Sequence, residues 1–251
     1  MTIRIDGKAC ECEAGEYIMD VAKRNGITIP SLCSHPALEP GGCCRVCIVE
    51  IIDGKDTSIV VSCVYPVEKE IEVRTDTDRV KRQRGMTLAF LYKRAPGSEI
   101  IADMCNKYGA PQLDRLKAVT EPNKCILCGL CTRACSELGV GAIATIGRGP
   151  EKIVNTPYGD IATACIGCAS CAHVCPTKAI AVADTNKTRE IWRKVFEFEH
   201  CVSCGAVTGT KESVAWAVAL SGGKPDGLCA ECRKLATAQR IKDCIVFGDE
   251  T

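Results

Sequence analysis

Short alternating runs predict strands over the first third of the chain. Residues 2–6 alternate apolar and polar side chains, Gly7 and Lys8 predict a turn, and residues 9–13 predict the returning strand of a hairpin. Residues 16–25 have the apolar spacing of a helix. Further strands are predicted at residues 48–52, 58–61 and 71–74.

The middle of the chain changes to the period of a helix. From residue 76 to about 94, Val80, Leu88 and Leu91 share one face, and a second helix is predicted over residues 98–108 with Ser98 as N-cap. The first of these helices carries a basic run: Arg79, Lys81, Arg82 and Arg84. We expect this run on a solvated face, and a docking surface for an acidic partner is the alternative.

The last third of the chain has weaker periodicity. We expect an insertion with some strand between residues 135 and 165. After it come a polar linker over 185–190, an extended segment over 191–199, and helices near 213–220 and 232–242.

The most informative feature of the composition is cysteine, which occurs 21 times in 251 residues. No signal peptide and no transmembrane run is recognised, so we expect metal-bound thiolates in a reducing cytoplasm rather than a disulfide scaffold. A net charge of +1 provides no overall field for nucleic acid or an anionic membrane. Because there are only three histidines, and no nucleophile–base pair is apparent, no catalytic residue is predicted.

Eight central cysteines form two runs with the spacing C-x2-C-x2-C-x3-C. This spacing is the bacterial-type ferredoxin signature, in which the fourth cysteine of each run binds the cluster of the other run. One [4Fe–4S] cluster is therefore assigned to Cys125, Cys128, Cys131 and Cys175. The second is assigned to Cys165, Cys168, Cys171 and Cys135. Zinc ribbons use paired C-x2-C knuckles without a third cysteine, which argues against zinc here.

Four cysteines of the strand-rich N-terminal segment predict a [2Fe–2S] site: Cys33, Cys44, Cys47 and Cys63. A hairpin, a helix, a glycine-rich cysteine loop and a distal cysteine after more strand are typical of a β-grasp ferredoxin. The spacing differs from the plant-type C-x4-C-x2-C, so the assignment depends on this context. Cys43 competes with Cys44, and we choose Cys44 because it forms a C-x2-C pair with Cys47; Cys43 is then expected to be a small buried thiol.

Two C-x2-C knuckles near the C-terminus predict one more metal site, with the ligands Cys201, Cys204, Cys229 and Cys232. Four thiolates suit a tetrahedral ion, and structural zinc is one interpretation. A third [4Fe–4S] cluster is the other, which the redox chemistry upstream favours. His200 is a possible substitute ligand.

Together these patterns predict an α+β protein of four units. They are a β-grasp [2Fe–2S] domain at 1–76, a helical connector at 77–118, a bacterial-type 2[4Fe–4S] ferredoxin domain at 119–185, and a C-terminal four-cysteine module at 186–251.

The order of these motifs resembles that of a known family. Residues 30–36, 44–50 and 62–67 carry most of the likeness, which covers about residues 1–185. The chain is similar to the N-terminal part of the large iron–sulfur subunit of complex I and to the diaphorase iron–sulfur subunit of NAD-reducing hydrogenases. It also resembles the corresponding subunit of electron-bifurcating hydrogenases, formate dehydrogenases and transhydrogenases. Many of these relatives insert a His-x3-Cys-x2-Cys-x5-Cys cluster, whereas residues 90–111 here contain no histidine and only Cys105.

The resemblance implies a non-catalytic subunit of a hetero-oligomeric complex. It would carry single electrons between a flavin-containing (FMN) NADH-dehydrogenase-like subunit and a terminal oxidoreductase subunit. A free polyferredoxin that diffuses between enzymes is the alternative, and a scaffold whose clusters are only structural is a third. A diffusing carrier usually has a strong charge of one sign, which this chain lacks.

Overall fold

The computed structural model describes residues 1–116, 123–223 and 226–245. The N-terminal part is a five-stranded sheet formed by β1 (Thr2–Ile5), β2 (Lys8–Glu11), β3 (Ile48–Asp53), β4 (Asp56–Val61) and β5 (Glu72–Arg74). The strand order is β2-β1-β5-β3-β4. The β1–β5 pair is parallel, and the other pairs are antiparallel. The predicted hairpin and all three later strands are thus present.

A short helix packs on this sheet and closes its core. Helix α1 (Ile18–Arg24) is shorter than predicted, and its apolar residues Ile18 and Val21 pack with Ile3, Ile5 and Val49 in one buried cluster. Cys47 and Cys63 belong to the same cluster, so the core of the sheet continues directly into the cysteine loop. Burial of this apolar surface is the main force that positions the loop.

Two helices connect this domain to the next. Helix α2 (Asp78–Arg94) begins after Thr77, whose side chain caps Val80, and helix α3 (Glu99–Lys107) begins after Ser98, as predicted. Arg84 corrects one expectation: it is 2% exposed rather than solvated. Its guanidinium donates to the main-chain carbonyls of Val46 and Ile48 at 3.0 and 2.7 Å, so it joins α2 to β3.

The two ferredoxin-type cysteine runs fold around two short helices, α4 (Leu130–Glu137) and α5 (Ser170–His173). Each helix starts after a residue with left-handed backbone, Gly129 and Ala169. The insertion contains the small hairpin of β6 (Ala144–Ile146) and β7 (Ile153–Asn155), which agrees with the expected strand content.

The C-terminal third begins with a four-stranded antiparallel sheet in the order β11-β10-β9-β8. Its strands are β8 (Val182–Asp184), β9 (Thr188–Ile191), β10 (Lys194–His200) and β11 (Val207–Thr210). Half of the predicted linker is therefore part of strand β9, because its backbone pairs with β8 and β10 on both sides. Helices α6 (Lys211–Ser221) and α7 (Ala230–Ile245) follow and extend beyond the two predicted helical ranges.

None of the helices in the described parts of the chain has the length and apolar character needed to cross a membrane.

Candidate metal centres

The four N-terminal cysteines meet at one buried point beside the five-stranded sheet. Cys33, Cys44, Cys47 and Cys63 are between 0 and 4% exposed. The Cys47 and Cys63 sulfurs lie 3.4 Å apart, and the Cys44 amide donates to the Cys33 sulfur at 3.4 Å. Because Cys33 pairs with Cys44 and Cys47 with Cys63, the four sulfurs suit two neighbouring iron atoms.

Hydrogen bonds between these thiols lower the pKa values of two of them and raise those of the other two. Hydrogen bonds from Cys44 and Cys63 lower the pKa of the Cys33 thiol, and a hydrogen bond from Cys63 lowers the pKa of Cys47 to about 7. The Cys44 and Cys63 pKa values are raised, because each thiol donates to a neighbouring sulfur and is desolvated. Two of the four sulfurs are therefore ready acceptors for a metal, and the other two lose their protons when one binds.

Cys43 and Cys44 face different surroundings. Cys44 is buried among the other three thiols, whereas Cys43 is exposed and its sulfur donates to the Gly41 carbonyl at 3.2 Å. This arrangement supports the choice of Cys44 as ligand. The expectation that Cys43 is a small buried thiol is wrong, because its side chain turns outward to the loop carbonyl.

The first ferredoxin-type set lines a cavity of about 310 Å³. Its cysteines come from both runs: Cys125, Cys128, Cys131 and Cys175. Burial raises the pKa of Cys128 to about 11 and that of Cys131 to about 12. A cavity of this volume with four thiols on its wall fits an iron–sulfur cube, which would also take the place of the thiol protons.

The second set lies around a smaller hollow at the other end of α4 and again combines the two runs: Cys135, Cys165, Cys168 and Cys171. Burial raises the pKa of Cys171 to about 11. The structure therefore brings together the crossed groups that the spacing predicted, three cysteines from one run and the fourth from the other. The donor chemistry, four thiols on one hollow, fits the same kind of cluster.

Main-chain amides point at the sulfurs of these sets. The amides of Ala142 and Ala179 donate to Cys135 and Cys175 at 3.2 and 3.3 Å. The Gly167 amide donates to Cys165 at 3.5 Å. Such bonds stabilise negative charge on the sulfurs and so help to set a reduction potential.

Contacts between domains join the first two sites. The side chain of Arg133, on α4, donates to the Cys33 carbonyl at 3.3 Å and also to the Glu39 carbonyl. Cys33 and Cys44 belong to one buried apolar cluster with Cys128. Cys131 and Cys171 share a further cluster. Buried packing therefore links the first cysteine site to the second and the second to the third.

The C-terminal thiols converge as one set of four. The sulfurs of Cys201, Cys204, Cys229 and Cys232 all lie within 4.8 Å of one another. Main-chain amides of Cys229 and Cys204 lower the pKa of Cys201 to about 6. His200 directs its Nδ1 to the Gly205 carbonyl at 3.0 Å, and the compact thiol group does not require it as a ligand.

Sequence reasoning missed the residues that hold the sites against each other. Arg133 has no motif signal beyond its place between two cysteines of one run. Phe196 lies so close to Gly167 that an added Cβ would be 2.6 Å from its ring, and the Thr210 hydroxyl donates to the Ile166 carbonyl at 2.5 Å. Phe196 and Thr210 are on strands of the C-terminal sheet, which the sequence placed in a separate unit.

None of the 21 cysteines, all of which lie in described segments, forms a disulfide. Comparison with known families agrees with metal binding. Residues 1–78 match the 2Fe-2S iron–sulfur cluster binding domain, residues 118–182 match a 4Fe-4S dicluster domain, and residues 164–208 match a second 4Fe-4S dicluster domain.

Several proteins of known role are similar in sequence. The alpha subunit of the NADPH-Fe(3+) oxidoreductase of Geobacter sulfurreducens is 32% identical over 70% of this chain and 23% of its own length. The 75 kDa subunit of the NADH-ubiquinone oxidoreductase of Reclinomonas americana is 30% identical over 62% and 26% of the two chains. The HndD subunit of the NADP-reducing hydrogenase of Solidesulfovibrio fructosivorans is 29% identical over 72% and 36%. The chain thus spans about a quarter to a third of these relatives.

A solved structure shares the fold. A chain of the NAD+-reducing [NiFe]-hydrogenase in the H2-reduced state superposes with a TM-score of 0.61 and 26% identity, covering 71% of this chain and 85% of its own. The order of the three cysteine sites, the matching domain families and these relatives lead to one conclusion. The chain contains a 2Fe-2S iron–sulfur cluster binding domain and 4Fe-4S dicluster domains, and it is similar to subunits of NAD(P)H-linked oxidoreductases and hydrogenases.

Proposed function

We propose that this chain is the relay subunit of a multi-subunit oxidoreductase, between a flavin-containing subunit that oxidises or reduces NAD(P)H and a terminal catalytic subunit. The N-terminal set of four cysteines would bind a [2Fe–2S] cluster. Each of the two ferredoxin-type sets, which combine three cysteines of one run with one of the other, would bind a [4Fe–4S] cluster. When bound, these clusters supply one-electron transfer. The observation that carries the proposal is the grouping of twelve cysteines into three adjacent sites that share buried packing.

The packing supports one order along the chain of sites. Cys33 and Cys128 belong to one buried cluster, so the [2Fe–2S] site adjoins the first [4Fe–4S] site. Cys131 and Cys171 share the next cluster, so the first [4Fe–4S] site adjoins the second. The polypeptide holds the sites at fixed separations, excludes water between them and directs amides at their sulfurs, which are the protein's contributions to a relay.

The relatives support the choice of partners. Their names describe subunits of NADPH, NADH and NADP-linked enzymes, and two of them, including the structural neighbour, are hydrogenases. A permanent hetero-oligomer also agrees with the net charge of +1, because a carrier that meets its partners briefly benefits from a strong charge of one sign. We place the complex in the reducing cytoplasm, where free thiols persist.

A test of this function begins with anaerobic purification of the chain together with whatever copurifies. The expected product is a complex that contains a flavoprotein, in which NADH or NADPH reduces the chain and produces EPR signals of both cluster types. A flavin-containing complex whose clusters stay oxidised with either nucleotide, while dithionite reduces them, would contradict the relay. A free monomer of about the 26.9 kDa of one chain would favour the diffusing carrier instead.

A further inference from the structure

The C-terminal four-cysteine site has the dimensions of one metal ion. Its four sulfurs lie within 4.8 Å of one another, and those of Cys204 and Cys229 are 3.7 Å apart. Four thiolates on a tetrahedral zinc ion, at a Zn–S distance of about 2.3 Å, would be separated by about 3.8 Å. In an iron–sulfur cube each thiolate binds a different iron, and the body of the cluster holds the sulfurs roughly 6 Å apart.

We propose that Cys201, Cys204, Cys229 and Cys232 bind a single Zn²⁺ in a closed tetrahedral site, and that this ion holds the C-terminal module together. The inference deepens the proposed function, because it ends the path of electrons within this chain at the site of Cys135, Cys165, Cys168 and Cys171. Binding moves no electrons, and the thiol protons pass to solvent.

The other cysteine sets provide an internal comparison. Within residues 1–116, 123–223 and 226–245, this is the one group of cysteine, histidine and acidic side chains whose ligand atoms all approach so closely. The first ferredoxin-type set instead surrounds a cavity of about 310 Å³. The first ferredoxin-type set thus leaves room for a cube among its sulfurs, whereas the C-terminal knuckles bring all four sulfurs together.

The match of residues 164–208 to a 4Fe-4S dicluster domain is not evidence for a [4Fe–4S] cluster at the C-terminal knuckles. That match ends after the first knuckle and before Cys229. A cluster run would need a third cysteine three residues after Cys204, where Val207 stands. The C-terminal knuckles have the paired C-x2-C arrangement of closed zinc sites.

The two helices that follow the four-stranded sheet have no fully buried side chains of their own in the part whose burial is described. No side chain of residues 211–223 and 226–244 is buried, although these ranges contain α6 and all of α7 except its last residue. Leu220 and Leu235 are 70% and 69% exposed. Helices that bury no apolar core require another source of stability, and a structural zinc ion supplies folding free energy directly.

The knuckles are placed so that one ion would connect three separate segments. Cys201 follows β10, and the amide of Val202 donates to the Gly227 carbonyl at 2.9 Å, which brings the second knuckle beside the first. Asp226 and Arg233 form an ion pair across the second knuckle at 2.7 Å. A zinc ion in this position would fix α7 to the end of the four-stranded sheet.

The test is metal analysis of the full chain, purified anaerobically and separated from its partner subunits so that their metals do not enter the count. We expect ten iron atoms and one zinc per chain, with zinc K-edge absorption showing four sulfur neighbours at about 2.3 Å. Fourteen iron atoms without zinc would overturn the proposal in favour of a third cube. Eleven iron atoms without zinc, or zinc with oxygen and nitrogen neighbours, would also overturn it.

Two substitutions locate the ion. Cys204→Ser and, separately, Cys229→Ser should each lower the zinc content at least fivefold and leave the iron content and the EPR spectra of the other sites unchanged. Cys244→Ser, at an exposed cysteine outside the set, is the matched control and should change none of these readings. Loss of four iron atoms in the Cys204 and Cys229 variants would overturn the proposal.

These readings separate the two hypotheses. The relay fails if nucleotide does not reduce the upstream sites, whatever metal the module holds. The zinc proposal fails on iron and zinc stoichiometry alone, whether or not nucleotide reduces the chain.

Discussion

The guanidinium of Arg133 donates to the main-chain carbonyl of Cys33 at 3.3 Å and so joins the helix between two cubane sites to the loop of the [2Fe–2S] site. The same side chain also donates a hydrogen bond to the main-chain carbonyl of Glu39. A Cβ added to Gly41 would come within 3.0 Å of Arg133 Nη2, so the loop has closed tightly on the guanidinium. One side chain therefore provides both a positive charge and a mechanical link between neighbouring sites.

Replacing this arginine should affect the [2Fe–2S] site although Arg133 is not a ligand. In Arg133→Met we expect the reduction potential of that site to fall, because a nearby cation and a hydrogen bond favour the more negative, reduced state. A loss of about 1 kcal/mol corresponds to roughly 40 mV for one electron. Potentiometric titration followed by EPR measures the shift.

Two further variants separate the effect of the positive charge from that of the paired hydrogen bonds and provide a control. Arg133→Lys keeps the charge but cannot hold two carbonyls in a fork, so we expect a smaller fall in potential than with methionine. Arg148→Met, at an exposed residue in the connection between β6 and β7, serves as the control. An unchanged potential and an unchanged spectrum in the Arg133→Met protein would show that the link has no electronic role.

Cys43 and Cys44 offer a direct test of ligand choice. In Cys44→Ser the [2Fe–2S] EPR signal should be lost or strongly altered, because the buried sulfur next to Cys33 is replaced by a poorer iron ligand. In Cys43→Ser the signal should stay, since that sulfur is exposed and bonded to a main-chain carbonyl. The reverse pair of results would assign Cys43 as the ligand.

Gly167, between two cysteines of the second run, cannot accept a side chain. It has φ +70°, and an added Cβ would lie 2.6 Å from the Phe196 ring. We expect Gly167→Ala to destabilise this region by about 2–4 kcal/mol through both backbone strain and the clash. The measurable result is loss of about four iron atoms per chain, together with a lower melting temperature of the anaerobic protein.

Gly149 provides the matched control for that substitution. It also has a positive φ, +56°, but nothing lies within 4 Å of an added Cβ. Gly149→Ala should therefore cost only about 1 kcal/mol and keep the full iron content. Equal losses in the two variants would mean that the contact with Phe196 does not support the site.

Features that depend on residues close together in the sequence could be predicted, and features that depend on contacts between distant segments could not. The strands and helices of the first 110 residues follow from local period and capping, as the Ser98 cap illustrates. The crossed cysteine groups follow from spacing, because short loops restrict which sulfurs can meet. The predictions for Arg84 and for strand β9 were wrong, since burial under β3 and pairing with two other strands leave no local signal.

The two kinds of iron–sulfur site should respond differently to pH. Burial raises the pKa of Cys128 to about 11 and of Cys131 to about 12, above the ordinary thiol value. These protonated thiols favour the folded metal-free state below about pH 8.5, an advantage lost as pH rises through 11–12. Cluster uptake must remove both protons, so uptake should strengthen as pH rises from about 7 to about 9.

The [2Fe–2S] site is the internal reference for this pH effect, because the same iron and sulfide solutions supply both sites. Hydrogen bonding lowers the pKa of Cys47 to about 7 and also lowers that of Cys33, so only Cys44 and Cys63 keep raised pKa values there. In the first cubane set burial also raises the pKa of Cys125, so three thiols with raised pKa values must lose protons there. In anaerobic reconstitution at about pH 7, 8 and 9, [4Fe–4S] occupancy should therefore rise more steeply than [2Fe–2S] occupancy, as quantified by EPR. Parallel curves for the two sites would refute the assignment of the difference to buried, protonated Cys128 and Cys131.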